Sequence, residues 1–223
     1  MHKKRNTFLS VLLTILSIVY TYLVKTYDVK SIGPNNSEVG FSKINAWFSN
    51  LIGSHMTIYK VTELLGYIII LIVGIYGLIG LYQLIKKKSL FKVDKELYIL
   101  GGLYVSMAVV YVFFEKFIIN YRPVLIEGQL EASYPSSHTI LAICICISSL
   151  IVSRNYVRKK HQGVVDTLTI LLLLGVFLGR VASGVHWISD ILGGILISCT
   201  LLMYFYTLYD YNRYRSRRKR RKR

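Results

Sequence analysis

The stretch Arg180-Val-Ala-Ser-Gly-Val-His186-Trp-Ile-Ser-Asp190 interrupts two long apolar runs. An arginine, a histidine and an aspartate are costly in such a setting without partners or a task. If the chain is helical from about His186 onward, His186 and Asp190, four residues apart, share one face. The carboxylate then accepts a bond from one imidazole nitrogen and leaves the other aimed at a substrate, as a nucleophile and its orienter are arranged. Arg180 adds a permanent forked cation suited to phosphate. Ser183-Gly184 gives the backbone freedom to turn between them. The plainer alternative is a set of helix-end residues, with Arg180 snorkelling to a headgroup, His186 at an interface and Asp190 capping. The elements that place these residues decide between the two.

Of 223 residues, 53% are hydrophobic, too many for an ordinary soluble domain, yet charge interrupts them regularly. Many of the 18 tyrosines lie near the ends of apolar runs, as in interfacial belts. The fold expected is all-α and integral to the membrane, a bundle of six transmembrane helices. The spans run over about 7–24, 64–84, 97–114, 138–153, 164–180 and 187–206. The first follows His2, Lys3, Lys4 and Arg5 as a signal peptide would, but it is long and no small-x-small cleavage site follows, so it reads as a retained helix. The fourth is short and carries Ser148 and Ser149, which suits a helix packed inside the bundle. Residues 1–210 form the membrane domain and 211–223 a basic tail.

The net charge of +17 would suggest nucleic acid in a soluble protein. Here the basic residues sit in four clusters: the N-terminus, Lys86–Lys88, Arg154–Lys160 and the tail ending at Arg223. A six-helix chain with both termini in the cytoplasm puts all four on the cytoplasmic side, as the positive-inside rule requires. Anionic lipid is therefore the expected partner of the tail, and no nucleic acid is expected. The connections near Lys25–Thr62, Glu115–Pro135 and Arg180–His186 then face outward together. Within the first, Gly33-Pro34-Asn35-Asn36 is a turn. Ile44, Trp47, Phe48, Leu51 and Ile52 recur at helical spacing, as in a short helix lying on the membrane. Cys144, Cys146 and Cys199 lie inside apolar runs and read as small buried hydrophobes.

The second outward connection carries Lys116, Arg122-Pro123 and then Tyr134-Pro135-Ser136-Ser137-His138. Proline followed by two serines is a good helix start, at which a hydroxyl can cap and the free N–H groups form an anion site. Together the two connections supply cations, N–H donors and two histidines, one to attack and one to protonate a leaving group. That is the kit of a phosphoryl-transfer site. The outward stretches hold no clustered carboxylates suited to magnesium, so no metal or other cofactor is expected.

Lys116…Arg122-Pro123, Pro135-Ser-Ser-His138 and Arg180-x5-His186-x3-Asp190 resemble the three signature motifs of the type-2 phosphatidic acid phosphatase superfamily, integral-membrane lipid phosphatases related in their site to vanadium haloperoxidases. The motifs cover Lys116 to Asp190, and the six-helix layout extends the resemblance to the whole chain. It implies that His186 is the nucleophile, forming a phosphohistidine, that Asp190 orients it, and that His138 is the general acid. It also implies that Lys116, Arg122, Arg180 and the Ser136-Ser137 region hold the phosphate. Three departures are visible. Five residues rather than six separate Lys116 from Arg122; Ser137 stands where glycine is usual; and Gly179 replaces the usual serine before Arg180. The expected activity is hydrolysis of a lipid phosphate or diphosphate at the outer face of a bacterial plasma membrane. Undecaprenyl diphosphate comes first, then phosphatidylglycerophosphate or phosphatidic acid. A phosphotransferase sharing the covalent step, or a lipid carrier without turnover, are the alternatives. Oligomeric state is not legible.

Overall fold

The computed structural model describes residues 2–221, with side chains from 4 to 215. Seven α-helices account for most of them: α1 (His2–Thr26), α2 (Ser42–Ile52), α3 (Met56–Lys87), α4 (Lys95–Lys116), α5 (Ser137–Val152), α6 (Lys159–Ser183) and α7 (Ile188–Arg221). All but α2 are long and apolar enough to cross a bilayer. They alternate in direction, as contacts at the two ends of the bundle record. At one end Tyr134 Oη and Thr21 Oγ1 are 2.7 Å apart, and Lys25 Nζ donates to Ile118 O at 3.3 Å. At the other, Tyr156 Oη donates to Asp94 at 3.1 Å and Asn212 Nδ2 to Glu96 at 3.0 Å. The start of α1 and the end of α7 lie at this second end, the terminal end hereafter.

α5 is the axis of the bundle. Within its apolar window 56% of residues are buried, against 11–17% for α1, α3, α4 and α6, because α3, α4, α6 and α7 all pack on it. Its composition permits this. Ala142, Cys144, Cys146 and Ser148 are small and wholly buried, so neighbouring backbones approach closely. The hydroxyls Ser148 and Ser149 are satisfied from inside, Ser148 donating to Ile145 O and Ser149 bonded to Tyr76 Oη. The other spans turn apolar side chains outward, as lipid-facing helices do: Leu71 and Leu78 of α3 and Leu168 and Leu171 of α6 are exposed. Cys199 also turns outward, whereas burial was expected; it lies on the outer face of α7.

Two boundaries differ from the expected spans. α3 begins at Met56, eight residues before Leu64, because Tyr59 and Thr62 face inward and make this polar turn part of the packed helix. α7 continues past Tyr206 to Arg221 as one helix, since no glycine or proline follows Tyr206 to break it. The side chains of the basic tail beyond residue 215 lie outside those described.

The Lys25–Thr62 connection has the expected parts. A 3-10 turn spans Pro34–Asn36, with Asn35 and Asn36 left-handed, and α2 exposes Ile44, Trp47 and Leu51 along one side. The opposite side of α2 is tied to the start of α7. Asn45, fully buried, donates to Ser189 Oγ at 2.9 Å and accepts from Ser189 N at 3.2 Å. The α2–α3 joint grips the α6–α7 connection as well. His55 N donates to Ser183 O at 2.8 Å. Gly184, at φ +64°, passes so close that a Cβ would fall 1.7 Å from Gly53 O. Only glycine fits that position on both counts.

Candidate active site

The α6–α7 connection, held in this way, presents His186 at the end of the bundle opposite the termini. α7 begins at Ile188, so His186 precedes the helix instead of riding on it, and the expected shared face with Asp190 does not form. Asp190 stands in the first turn of α7 and reaches back to accept Trp187 N–H at 3.1 Å, as the acidic member of a capping box does. Its link to the histidine runs through a third residue. Ser133 Oγ lies 2.9 Å from His186 Nδ1 and donates to Asp190 Oδ2 at 2.6 Å. Asn120 Nδ2 donates to Asp190 Oδ1 at 3.0 Å, and Ser189 Oγ to the same oxygen at 3.4 Å. Four hydrogen bonds converge on its two oxygens, two of them from N–H groups that can only donate, an arrangement that favours the carboxylate form.

The other face of the imidazole meets Arg122. Arg122 Nη1 is 3.4 Å from His186 Nε2, which therefore carries a lone pair rather than a proton. Burial first, then the positive charges of Arg122, Arg180 and His138, hold the His186 imidazole well below the usual histidine range, against a smaller opposing pull from the Ser133 backbone. His186 is thus neutral at neutral pH, with Nδ1–H turned to Ser133 and Nε2 available for attack.

Arg180, in the last turn of α6, is fully buried, and none of its three guanidinium nitrogens makes a hydrogen bond. The Tyr59 ring supports it by a cation–π contact at 4.7 Å and also faces Arg122 at 5.7 Å. Arg122 Nε approaches Glu131 Oε2 to 3.0 Å, an ion pair without the alignment of a hydrogen bond. Close packing explains the missing serine at 179. A Cβ there would fall 2.3 Å from Thr62 Cγ2, so α3 already fills the space.

α5 begins as the sequence suggests, but Ser136 does not cap it. The Ser136 hydroxyl makes no bond to the helix backbone and instead accepts from Thr139 Oγ1 at 3.0 Å. The first backbone bond of the helix is Ile140 N to Ser136 O, which leaves the N–H groups of Ser137, His138 and Thr139 without intrahelical acceptors. Ser137 and His138 both line the cavity. The His138 ring lies over Gly66 of α3, where a Cβ would sit 3.0 Å from its Cδ2, and its Nδ1 has no partner.

The cavity measures about 920 Å³. Its head is formed by Arg122, Ser133, Ser137, His138 and His186, and from there it descends between α3 and α4 along Ile70, Val73, Met107 and Ile145. Lys116 is not among its lining residues; it ends α4 exposed and is not brought to the others. The residue before it, Glu115, stands at the six-residue spacing from Arg122 and does line the cavity, as do Glu63 and Glu131. The structure therefore gathers His186, Asp190, His138, Arg122, Arg180 and Ser137, with Ser136 buried just behind. Sequence reasoning missed Ser133, Asn120, Glu131 and Tyr59. Three of these are ordinary polar residues of an irregular connection, where no spacing marks them, and Tyr59 lies in a turn that reads as loop.

Comparison with known proteins agrees with this geometry. The model of the PAP2 superfamily matches residues 97–214, which hold every cavity-head residue and the whole of α5 and α6. Phosphatidylglycerophosphatase B of Bacillus subtilis (strain 168) is 31% identical over 88 residues, 39% of this chain and 41% of that protein, so the chain matches less than half the length of this relative. The crystal structure of the transmembrane PAP2-type phosphatidylglycerolphosphate phosphatase from Bacillus subtilis superposes with a TM-score of 0.62 at 15% identity, covering 91% of this chain and 96% of that one, a likeness of fold. With more than half of its residues under the family's model, this membrane-spanning chain belongs to the PAP2 superfamily.

Proposed function

We propose that the protein hydrolyses the phosphate of a membrane lipid through a phosphohistidine at His186. One observation carries the reading: a single cavity joins a head bearing His186, His138 and Arg122 to an apolar cleft between two spans, which suits a molecule with a phosphate at one end and a hydrocarbon chain at the other. In the first step His186 Nε2 forms a bond to phosphorus as the bond to the lipid oxygen breaks. The bonding pair leaves with that oxygen, which takes a proton from His138. Arg122, Arg180 and the free N–H groups at the start of α5 stabilise the equatorial oxygens. Water, giving a proton back to His138, then cleaves the P–N bond and restores His186.

The relative is named for phosphatidylglycerophosphate, and the charge balance of the head favours a monophosphate of that kind over undecaprenyl diphosphate. Glu115 replaces a cation at the family spacing and Glu131 occupies part of Arg122, so fewer positive charges remain for a second phosphate. By the positive-inside rule the basic clusters at the terminal end support a site at the outer face of a bacterial plasma membrane, with the tail on anionic lipid of the inner leaflet. The test is phosphate release by purified protein with phosphatidylglycerophosphate, phosphatidic acid and undecaprenyl diphosphate, in the presence of EDTA. Release from the monophosphates ahead of the diphosphate, abolished in His186→Ala, is the expected result. No release from any of them while the lipids still bind would sink the hydrolase reading in favour of a transferase or carrier.

A further inference from the structure

Ser133 lies between the nucleophile and its carboxylate partner Asp190, and nothing in the motifs assigns it a role. We propose that Ser133 is the positioning residue of this site: its hydroxyl takes the Nδ1–H of His186, passes the polarisation on to Asp190, and so fixes the tautomer that leaves Nε2 free to attack. The proposal rests on the phosphohistidine reading for its kinetic consequence but not for its geometry.

Three observations support it. The chain is short and continuous, 2.9 Å from Nδ1 to Oγ and 2.6 Å from Oγ to Oδ2. All three residues are buried, His186 and Ser133 at 3% exposure and Asp190 at 0%, so water does not compete for these bonds. The direction of the chain is also fixed. Asp190 is a carboxylate and can only accept, so Ser133 must donate to it, and the lone pair left on Oγ can accept only from Nδ1–H. Ser133 itself is anchored. Its N–H donates to Asn120 O at 2.9 Å, and Asn120 in turn holds the other carboxylate oxygen of Asp190. Asn120, Arg122 and Ser133 all come from the α4–α5 connection, so one loop both aims the nucleophile and contributes a phosphate-binding cation.

No proton need leave the chain during the reaction. As Nε2 bonds to phosphorus, the imidazole gains positive charge, the Nδ1–H···Oγ bond strengthens, and Oγ–H···Oδ2 strengthens with it. The carboxylate therefore stabilises the imidazolium at one remove. Direct contact would make Asp190 sufficient alone; here removing the hydroxyl disconnects it.

The experiment labels the histidines with nitrogen-15 and reads the ring nitrogens of His186, assigned by loss of its signals in His186→Gln. Native protein should show a neutral ring protonated at Nδ1. Ser133→Ala should shift the ring toward a mixture of tautomers, and Ser133→Thr, which keeps a hydroxyl, should restore the native pattern. This readout needs no turnover, so it stands even if no substrate is hydrolysed. With an active substrate, Ser133→Ala should lower kcat about 10- to 100-fold, the usual effect of removing a group that orients a functional imidazole, with KM little changed. Combined with Asp190→Asn it should cost no more than Asp190→Asn alone, because both break one chain. A native ring protonated at Nε2, an unchanged ring in Ser133→Ala, or losses that multiply in the double variant would overturn the proposal.

Discussion

The two ends of the bundle treat charge in opposite ways. At the terminal end Asp94 accepts from Gln83 at 2.7 Å, Lys87 at 3.1 Å and Tyr156 at 3.1 Å, and Arg154 pairs with Asp166 at 2.6 Å. These groups are partly wet, with Lys87 at 35% and Asp94 at 39% side-chain exposure, and they tie α3, α4 and the α5–α6 connection together. At the other end Arg180 is dry and its nitrogens are unpartnered, and His138 Nδ1 has no acceptor or donor. Pairing charges at a wet boundary is how helices are joined. Burying a cation beside only an aromatic face opposes folding and is sustained by the packing around it. The first arrangement serves stability; the second, on the proposed reading, holds a charge ready for an anion at stability's expense.

The sharpest way to break this contrast is to exchange the two properties. Arg180→Met replaces the buried cation with an apolar chain of similar length. kcat/KM for a lipid phosphate should fall about 10²- to 10³-fold, the cost of losing one preorganised charge at the transition state. The melting temperature in detergent should hold or rise, since the desolvated charge is gone and only the Tyr59 contact is lost with it. A variant both inactive and markedly less stable would mean that Arg180 is a structural tie like those at the terminal end. Asp94→Asn is the converse. It weakens three charge-assisted bonds and should cost about 1–2 kcal/mol of stability, at the low end because the carboxylate is partly exposed and screened. kcat should not change. A fall in kcat without a fall in melting temperature would show that the two ends are coupled through α4.

The same division explains what could be read in advance. The spans are legible because hydrophobic length is a property of sequence neighbours. His138, Arg180, His186 and Asp190 were legible because each is costly in an apolar run and so stands out. Lys116 looked equivalent, but a one-residue difference in spacing turns it about 100° around α4, out of the cavity, and brings Glu115 in. Ser133, Asn120 and Glu131 carry no such signal. They are polar residues in a polar loop, and their importance depends on how the loop folds back over α7. Asp190 illustrates the limit most plainly. Its spacing from His186 is right, yet the helix starts two residues later than that spacing assumes, and a serine from another segment bridges the gap.

The smallest effect concerns the histidine that joins both themes. His186 is neutral in the fold because burial and nearby cations oppose its protonation. An unfolded histidine titrates near 6.5, so below that pH the unfolded chain binds a proton that the native site resists, and stability falls as the medium is acidified. Above about pH 7 both states are neutral and the contribution is flat. Thermal scans between pH 7.5 and 6 should therefore show a decline in native protein that is shallower in His186→Gln, the difference amounting to under about 1 kcal/mol at pH 6. Asp94 does not contribute in this window. Burial works to raise its carboxyl, but the bonds from Gln83, Lys87 and Tyr156 outweigh it and hold it below the usual carboxylate range, so its contribution is lost as pH falls below the unfolded value of about 3.9. Parallel declines in the two proteins would place a protonated imidazole in the folded site, and a protonated ring cannot attack. The nucleophile would then have to be sought elsewhere, and the contrast between the two ends would lose its chemical meaning.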